Sequence, residues 1–297
     1  MDVFSGSLET VFRARDRRAC GDVALVLEAA GLRPIVHDLD GEWLVTVAAH
    51  QVPAARQEIE AWLAENRTVR PEPPVRQPLA DGRPGVIGYA LLMIGVALAV
   101  GDFAFDRDWL AAGRIDGAAM RAGEWWRALT ALTLHADLEH LAANLFFGGL
   151  FGGFAGRYLG SGTAWLLILL AGAFGNVVNV LILGPGHRAI GASTAVFAAL
   201  GLLGSLGWAG RRQSLKGRIY RWGPVIAAVA LLAYTGAGGE RTDIGAHIWG
   251  FAAGLGAGLL AARIPRAVLV QRRVQWGAAL AATGAVALAW LLALAPA

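Results

Sequence analysis

Residues 243–258 read DIGAHIWGFAAGLGAG, a nearly uncharged run in which His247 stands among apolar and small residues. A second run, GPGHRAIGASTAVFAALG at residues 184–201, places Ser193 at the start of a stretch rich in alanine. The hydrocarbon core of a bilayer is about 30 Å thick and needs about 20 mostly apolar residues per helix. Both runs are therefore predicted to form membrane-spanning helices that carry polar residues near one end.

Five further apolar runs lie between residue 86 and the end of the chain. The seven predicted spans are 86–105, 138–158, 163–183, 191–209, 222–238, 244–263 and 275–295. The chain is 56% hydrophobic and only 16% charged, which excludes a disordered chain and disfavours an ordinary soluble globule. The sequence predicts an all-α polytopic membrane bundle, with six core helices in 86–263 and a cytoplasmic loop and seventh helix in 264–297.

The first 85 residues differ in composition, since they hold 13 of the 22 acidic and 10 of the 26 basic residues. Residues 1–69 are predicted to form a small soluble α+β accessory domain with the order β-α-β-β-α. Its elements are expected at 8–14, 17–30, 33–37, 43–48 and 53–64. Residues 70–85 contain five of the eleven prolines and are predicted to be a linker. No secretory signal peptide is expected, because no basic start precedes an apolar run.

The basic residues indicate an orientation in the membrane. With the N-terminus in the cytoplasm, the inner loops carry ten arginine or lysine residues and the outer loops six. This bias predicts a cytoplasmic N-terminus and an external C-terminus, in a cell membrane of bacterial type. Loop arginines near an anionic leaflet also account for the net charge of +4, so no nucleic-acid partner is expected.

Polar side chains inside predicted spans are costly and indicate function. His140 and Asn144 are four residues apart and share a helix face, while Ser193 and His247 lie near the same membrane surface. A serine next to a histidine forms an activated nucleophile, and a histidine with an asparagine can donate hydrogen bonds to an oxyanion. Each residue alone also fits packing or helix capping. The combination predicts acyl transfer.

These residues, in this order on these spans, resemble the motifs of the rhomboid family of intramembrane serine proteases over about residues 86–263. The matching motifs are Trp126-Arg127 in the first outer loop, His135, His140 and Asn144 at the second span, Gly191-Ala192-Ser193 at the fourth, and Ala246-His247 with Gly250 and Gly254 at the sixth. Two positions depart from the family pattern. Thr194 stands where glycine is usual, and Phe197 stands where tyrosine is common.

The resemblance implies a rhomboid-like fold and a serine endopeptidase that cuts transmembrane proteins without a cofactor or a metal. It implies that Ser193 is the nucleophile, that His247 is the general base, and that His140, Asn144 and the Ser193 N–H form the oxyanion hole. Supporting roles are implied for His135, Trp126, Arg127, Gly191, Phe197, Gly250 and Gly254. The loop at 236–245 resembles the mobile cap that admits substrate and water.

Three other interpretations remain open. One is a non-catalytic rhomboid-like protein that binds transmembrane segments for sorting or degradation. Another is a metalloprotease with His135, His140 and His247 as zinc ligands, although the sequence contains no H-E-x-x-H. The third is a transporter or channel, which is disfavoured because the spans carry almost no charge at mid-depth. His187 is predicted to be a loop residue without a pairing partner. The oligomeric state is not predicted.

Overall fold

The computed structural model describes residues 7–39, 41–65, 78–212, 217–236 and 243–295. The chain divides into two compact units, Met1–Pro71 and Glu72–Ala297. The division falls inside the predicted linker, half of which (70–77) lies outside the described residues. The exact domain boundaries stay a prediction.

The N-terminal unit is a three-stranded antiparallel sheet with two helices. Its elements are β1 (Leu8–Ala14), α1 (Arg17–Ala29), β2 (Ile35–Leu39), β3 (Glu42–Ala48) and α2 (Val52–Glu65), and the strand order is β1-β3-β2. The Asp16 side chain accepts a hydrogen bond from the Arg18 N–H at the start of α1, and Gly31 has a left-handed φ of 80° just after its end. The predicted β-α-β-β-α order is confirmed.

The core of this unit lies between the sheet and the two helices. It contains the buried residues Cys20, Val23, Leu27, Val45, Val47, Val52, Ala55 and Ile59. The apolar residues of α1 recur at helical spacing, so that one side of the helix faces the sheet. An Asp-Gly dipeptide at 40–41, a good turn sequence, lies between β2 and β3; of the two residues only Gly41, with a φ of 83°, is described.

The second unit consists of long helices joined by short elements. They are α3 (Arg83–Gly101), α4 (Trp109–Gly113), β4 (Ile115–Asp116), α5 (Gly117–Arg121), α6 (Arg127–Thr130), α7 (Leu138–Leu159), α8 (Ser161–Leu183), β5 (Arg188–Ala189), α9 (Ser193–Arg211), α10 (Arg218–Gly236), α11 (Ile244–Ala261), α12 (Arg266–Leu269) and α13 (Arg272–Ala293). The predicted bundle of six core helices and a C-terminal seventh is confirmed. Helix α3 begins inside the predicted linker, because Pro84 fits the first turn of a helix.

Five helices within the described part of the chain are long and apolar enough to cross a membrane: α3, α8, α9, α11 and α13. The predicted second and fifth spans form helices α7 and α10 but do not reach that apolarity. Helix α7 carries His140, Asn144 and five glycines, and α10 begins with two arginines in its first turn. Among the described residues, polar and small side chains in these two helices therefore replace part of the expected apolar surface.

Helix α9 lies at the centre of this unit. In its most apolar window, 61% of the residues are buried by protein, against 11% for α3 and 17% for α13. Small side chains explain this position, because a β-carbon on Gly201 would collide with the backbone of Phe251 and Leu255 in α11. In lipid, where apolar side chains gain little by leaving the solvent, such close approach of helix backbones is a main source of association.

The segment between α3 and α7 folds over the end of the bundle at which α9 begins. Strand β4 pairs antiparallel with β5, so that Ile115 lies opposite Ala189 and Asp116 opposite Arg188. The backbone N–H of Gly191 donates to the carbonyl of Ala131, 2.9 Å away. The residues that lead into α9 are thereby held by residues from the segment between the first two long helices.

Candidate active site

Ser193 and His247 face each other across the junction of α9 and α11. The distance between Ser193 Oγ and His247 Nε2 is 2.9 Å, which is a hydrogen-bond distance. Ser193 is the first residue of α9 and is half-buried, whereas His247 lies in the first turn of α11 and is 7% exposed. The structure thus brings together two side chains 54 residues apart in the chain.

Glycines of α11 set the spacing between the two helices. A β-carbon on Gly250 would collide with the carbonyl oxygen of Thr194, and one on Gly254 with that of Ala198. Each glycine of this face therefore lies directly against the α9 backbone. Since His247 and Gly250 are three residues apart, the contact at Gly250 holds the imidazole next to the start of α9.

Thr194 fits into this junction rather than into the space around Ser193. Its side chain is 3% exposed, and its methyl carbon lies 2.9 Å from the position that a β-carbon would take on Gly250. The same methyl carbon lies 3.0 Å from the equivalent position on Gly175 in α8. The threonine that departs from the family pattern therefore fills a space made by two glycines, and α8, α9 and α11 meet there.

His140 lies against Gly191, two residues before Ser193. A β-carbon on Gly191 would be 2.8 Å from Cε1 and 2.9 Å from Nε2 of His140, and 3.5 Å from Ser193 Oγ. Gly191 has a φ of 135°, a conformation that side-chain-bearing residues rarely adopt. The glycine thus lets the imidazole of His140 approach the turn that carries Ser193.

Asn144 lies one turn after His140 in α7 and is 5% exposed. The Asn144 side-chain amide donates one hydrogen to the backbone carbonyl oxygen of His140 at 3.0 Å, and the backbone carbonyl oxygen of Asn144 accepts from the Tyr89 hydroxyl at 2.9 Å. A side-chain amide has two N–H donors. The N–H of Ser193 is a further donor, because the first N–H groups of a helix lack an intrahelical acceptor.

Two aromatic contacts support the histidines. The ring of Phe197 packs on that of His247 with centroids 4.4 Å apart, and the ring of His135 meets that of His140 edge-on at 5.2 Å. His135 precedes helix α7. Burial, with His140 beside it, lowers the pKa of His135 to about 4, so that its ring is neutral at neutral pH.

Arg127 organises the segment between α3 and α7, and its neighbour Trp126 lies half-buried just before α6. The Arg127 guanidinium pairs with Glu124 at 2.7 Å and donates to the carbonyl oxygens of Ala111 and Arg114, both at 2.9 Å. Its side chain is 12% exposed. One arginine thus connects α4, the turn before α6 and α6 itself. The role expected for Arg127 at the membrane surface stays a prediction.

A polar cluster near the start of α11 was not predicted from the sequence. Asn179 Nδ2 lies 2.8 Å from Oδ2 and 3.0 Å from Oδ1 of Asp243, and His187 Nε2 lies 3.0 Å from the same Oδ2. The expectation that His187 has no pairing partner is wrong, because the fold brings Asp243 to it from 56 residues away. An asparagine deep in an apolar span was the signal that could have indicated this cluster.

Most of the loop expected to act as a cap, 236–245, lies outside the described residues. In the described part of the chain, no three His, Cys, Asp or Glu side chains are grouped so that they could hold a metal ion. His135 and His140 are neighbours, whereas the ring of His247 contacts Ser193 and Phe197.

Comparison with known proteins identifies one domain in the sequence. Residues 122–264 match the family model described as the Rhomboid domain, and this stretch includes the serine, the histidines and the close-packed glycines described above. The chain carries a rhomboid domain. Together with the five apolar helices, this domain makes the protein an integral membrane protein.

Several curated proteins resemble parts of this chain. It is 34% identical to the Rhomboid protease GluP of Bacillus subtilis (strain 168) over 107 residues, which are 36% of this chain and 21% of that protein. It is 36% identical to the chloroplastic Rhomboid-like protein 11 of Arabidopsis thaliana over 90 residues, 30% of this chain and 32% of that protein. It is 32% identical to Rhomboid-like protease 3 of Toxoplasma gondii over 133 residues, 44% of this chain and 49% of that protein.

The chain therefore spans less than half the length of each of these relatives. Two of the three are named proteases, and the matched stretches are of modest identity. A Rhomboid domain at residues 122–264 and an integral membrane location are established at this level. The reaction, the substrate and the roles of individual residues are matters of proposal.

Proposed function

We propose that this protein is an intramembrane serine endopeptidase that hydrolyses peptide bonds in or near transmembrane segments of other membrane proteins. The observation that carries the proposal is the 2.9 Å contact between Ser193 Oγ and His247 Nε2 inside a rhomboid domain. A hydroxyl hydrogen-bonded to an imidazole is the arrangement of an activated nucleophile.

In the first chemical step, Ser193 Oγ forms a bond to the carbonyl carbon of the scissile peptide as its proton passes to His247. For the hydroxyl to donate, Nε2 must be unprotonated, so the neutral imidazole carries its proton on Nδ1. Collapse of the tetrahedral intermediate breaks the carbon–nitrogen bond, and the protonated His247 gives its proton to the leaving amine. Water, deprotonated by His247, then hydrolyses the acyl-enzyme.

The oxyanion of the intermediate is stabilised by three donors: the His140 imidazole, the Asn144 amide and the Ser193 N–H. The contact of His140 with Gly191, two residues before Ser193, supports this role. Preorganised donors in a site with little water stabilise developing charge strongly, and removal of one such donor typically lowers kcat by about 100- to 1000-fold.

The substrate class follows from the site's location in a membrane protein and from the family resemblance. A transmembrane helix hides its own peptide bonds, so cleavage is expected where a helix is weak, close to the outer surface and after a small residue. The proposed orientation, with the N-terminus in the cytoplasm of a bacterial-type cell, places the site towards the outside.

The test is cleavage of a transmembrane reporter in liposomes by the parent, Ser193→Ala and His247→Ala proteins. Loss of cleavage is expected in both variants. Ser205→Ala is the matched control, because Ser205 lies in the same helix and its hydroxyl donates to the Leu202 carbonyl at 3.1 Å, away from His247. Reaction of the parent, but not of Ser193→Ala, with a fluorophosphonate gives a second readout.

The outcomes distinguish a protease from a non-catalytic binding protein. If the parent binds the reporter but neither cuts it nor reacts with the fluorophosphonate, the protein is a non-catalytic binder of transmembrane segments. Parental cleavage by Ser193→Ala would show that another nucleophile performs the reaction. Cleavage that a chelator abolishes would indicate a metalloprotease instead.

A further inference from the structure

Three polar side chains from different parts of the rhomboid domain meet where α11 begins. Asn179 comes from α8, His187 from the loop before β5, and Asp243 from the position that caps α11. Asn179 is 1% exposed, and the side chains of His187 and Asp243 are 13% and 21% exposed. We name these three residues the α11 joint.

Asp243 is the centre of the joint and accepts every hydrogen bond in it. Its Oδ1 accepts from the Ala246 N–H at 3.0 Å, which caps the helix. Both of its oxygens lie within 3.0 Å of Asn179 Nδ2, and Oδ2 lies 3.0 Å from His187 Nε2. Because a carboxylate is an acceptor only, His187 donates to it through Nε2–H. The 3.2 Å approach of Asn179 Nδ2 to His187 Nε2 is then a contact between two donors around one acceptor.

The joint lies close in sequence to both members of the proposed dyad. Asp243 precedes His247 by one helical turn, and the Asp243 carbonyl oxygen accepts from the His247 N–H at 3.2 Å. His187 precedes Ser193 by six residues, and its carbonyl oxygen accepts from the Gly117 N–H at 2.9 Å. The joint therefore connects the segment that leads to the nucleophile with the helix turn that carries the base.

The glycine contacts between α9 and α11 do not fix the start of α11 by themselves. They begin at Gly250 and continue away from the joint, whereas His247 lies in the first turn. The first turn of a helix has unsatisfied N–H groups and frays unless it is capped. In this protein, the cap is the same carboxylate that Asn179 and His187 hold in place.

We propose that Asn179, His187 and Asp243 are positioning residues that hold the first turn of α11 so that His247 stays within hydrogen-bond reach of Ser193. The inference rests on the proposed function, since it assigns these residues to the same reaction. They do not touch the reacting atoms. Their effect is on geometry, and misplacement of a catalytic group by about 1 Å can cost about 100-fold in rate.

Asn176 offers a matched control within α8. It lies one turn before Asn179, is 5% exposed, and donates its side-chain amide to the Ala128 carbonyl in α6 at 3.0 Å. Loss of Asn176 removes a buried hydrogen bond from the same helix without releasing α11. A general loss of stability would therefore affect Asn176→Ala and Asn179→Ala alike.

The kinetic experiment measures kcat and KM for a transmembrane reporter in liposomes. Asn179→Ala, His187→Ala and Asp243→Ala are each expected to lower kcat roughly 10- to 100-fold, with KM within about twofold of the parent. Asn176→Ala is expected to keep kcat within about threefold of the parent at a comparable loss of thermal stability. Asp243→Asn is expected to restore most of kcat, because an amide oxygen still accepts from Ala246 and Asn179.

A second experiment follows amide hydrogen exchange at Ala246 and His247 in detergent micelles. Exchange there is expected to be faster in Asn179→Ala and His187→Ala than in the parent and in Asn176→Ala. If Asp243→Ala does not fold, these two variants carry the test, because both keep the carboxylate that caps α11.

The two proposals can fail separately. Parental kcat in both Asn179→Ala and His187→Ala, or an equal fall in Asn176→Ala, overturns the positioning role while leaving the protease intact. A parent that does not cleave overturns the proposed function, and the exchange rates still decide whether the joint holds the start of α11. Unchanged exchange in all variants shows that the joint does not hold it.

Discussion

At the residue scale, Gly191 connects three parts of the proposed site. Its N–H donates to the Ala131 carbonyl, its missing side chain makes room for the His140 ring, and it stands two residues before Ser193. Its φ of 135° lies in a region that costs other residues about 1–3 kcal/mol. A single residue therefore combines a strained turn, a steric gap and a hydrogen bond next to Ser193.

We predict that Gly191→Ala lowers reporter cleavage roughly 100-fold, because the new methyl group displaces His140, a proposed oxyanion donor. The thermal unfolding midpoint in detergent should fall as well, because the backbone is strained. Gly186→Ala is the control, since a β-carbon there has no atom within 4 Å among the described neighbours and no positive φ. Equal cleavage by Gly191→Ala and Gly186→Ala would contradict the prediction.

The sequence could predict a site residue only where the neighbouring residues mark it. Ser193, His247 and His140 could be indicated because each stands out in an apolar run and matches a family motif. The pairing of His187 with Asp243 could not be predicted, because it joins two loops whose approach depends on how α8 and α11 pack. The fit of Thr194 against Gly175 and Gly250 was also not predictable, since it involves three helices at once.

At the element scale, the packing of α9 on α11 fixes the relation between the serine and the histidine. The α11 glycines at every fourth position present a flat face, and the backbone of α9 lies directly on it. Such contact allows little lateral displacement, because any added atom meets a carbonyl group rather than a movable side chain. The packing of α9 on α11 therefore determines the distance between Ser193 and His247, together with the two side chains themselves.

Gly250→Ala and Gly256→Ala test this packing within one helix. Gly250→Ala should abolish most cleavage and lower stability by about 1–3 kcal/mol, because its methyl group collides with the Thr194 carbonyl and forces α9 and α11 apart. Gly256 is exposed on another face and has nothing within 4 Å. Gly256→Ala should keep activity and change stability by no more than about 1 kcal/mol. Melting curves and reporter cleavage of both variants check the prediction.

The ends of helices and strands were predictable where capping and turn residues mark them in the sequence. The strands and helices of the N-terminal unit begin and end within about two residues of the expected positions, because Asp16, Gly31 and Pro53 mark turns and caps. The short elements between 104 and 133 were not predicted. They depend on Arg127, whose guanidinium donates to carbonyl groups 13 and 16 residues earlier in the chain. No local sequence pattern indicates such contacts.

At the scale of the whole molecule, the seventh long helix is attached to the core by polar contacts near both ends. Near its start, Gln275 Nε2 lies within 3.0 Å of three acceptors: the Leu159 and Leu269 carbonyls and the Thr163 hydroxyl. Near its end, the Trp290 indole donates to the Thr133 hydroxyl at 3.1 Å. Helix α13 buries little of its surface in protein, and these contacts add to the packing of Val286 and Trp290 against the core.

We therefore predict that Gln275→Ala destabilises the attachment of α13 by about 1–3 kcal/mol, since it leaves buried acceptors unpaired. The effect should appear as a lower unfolding midpoint and faster protease cleavage between α12 and α13. In Thr283→Ala, which removes an exposed hydroxyl that bonds to its own helix at Ala279, both properties should stay at the parental values. A similar shift in the two variants would mean that these hydrogen bonds do not hold the helix.

The two-stranded ribbon of β4 and β5 has a consequence for biosynthesis. Its strands are separated by the whole of α7 and α8, so the ribbon closes only after both helices have been made and inserted. The turn that leads into α9 is held partly by this ribbon, and α11, with its imidazole, is synthesised later still. We therefore expect the pairing of Ser193 with His247 to form late in folding, after the helices that precede α11 have packed.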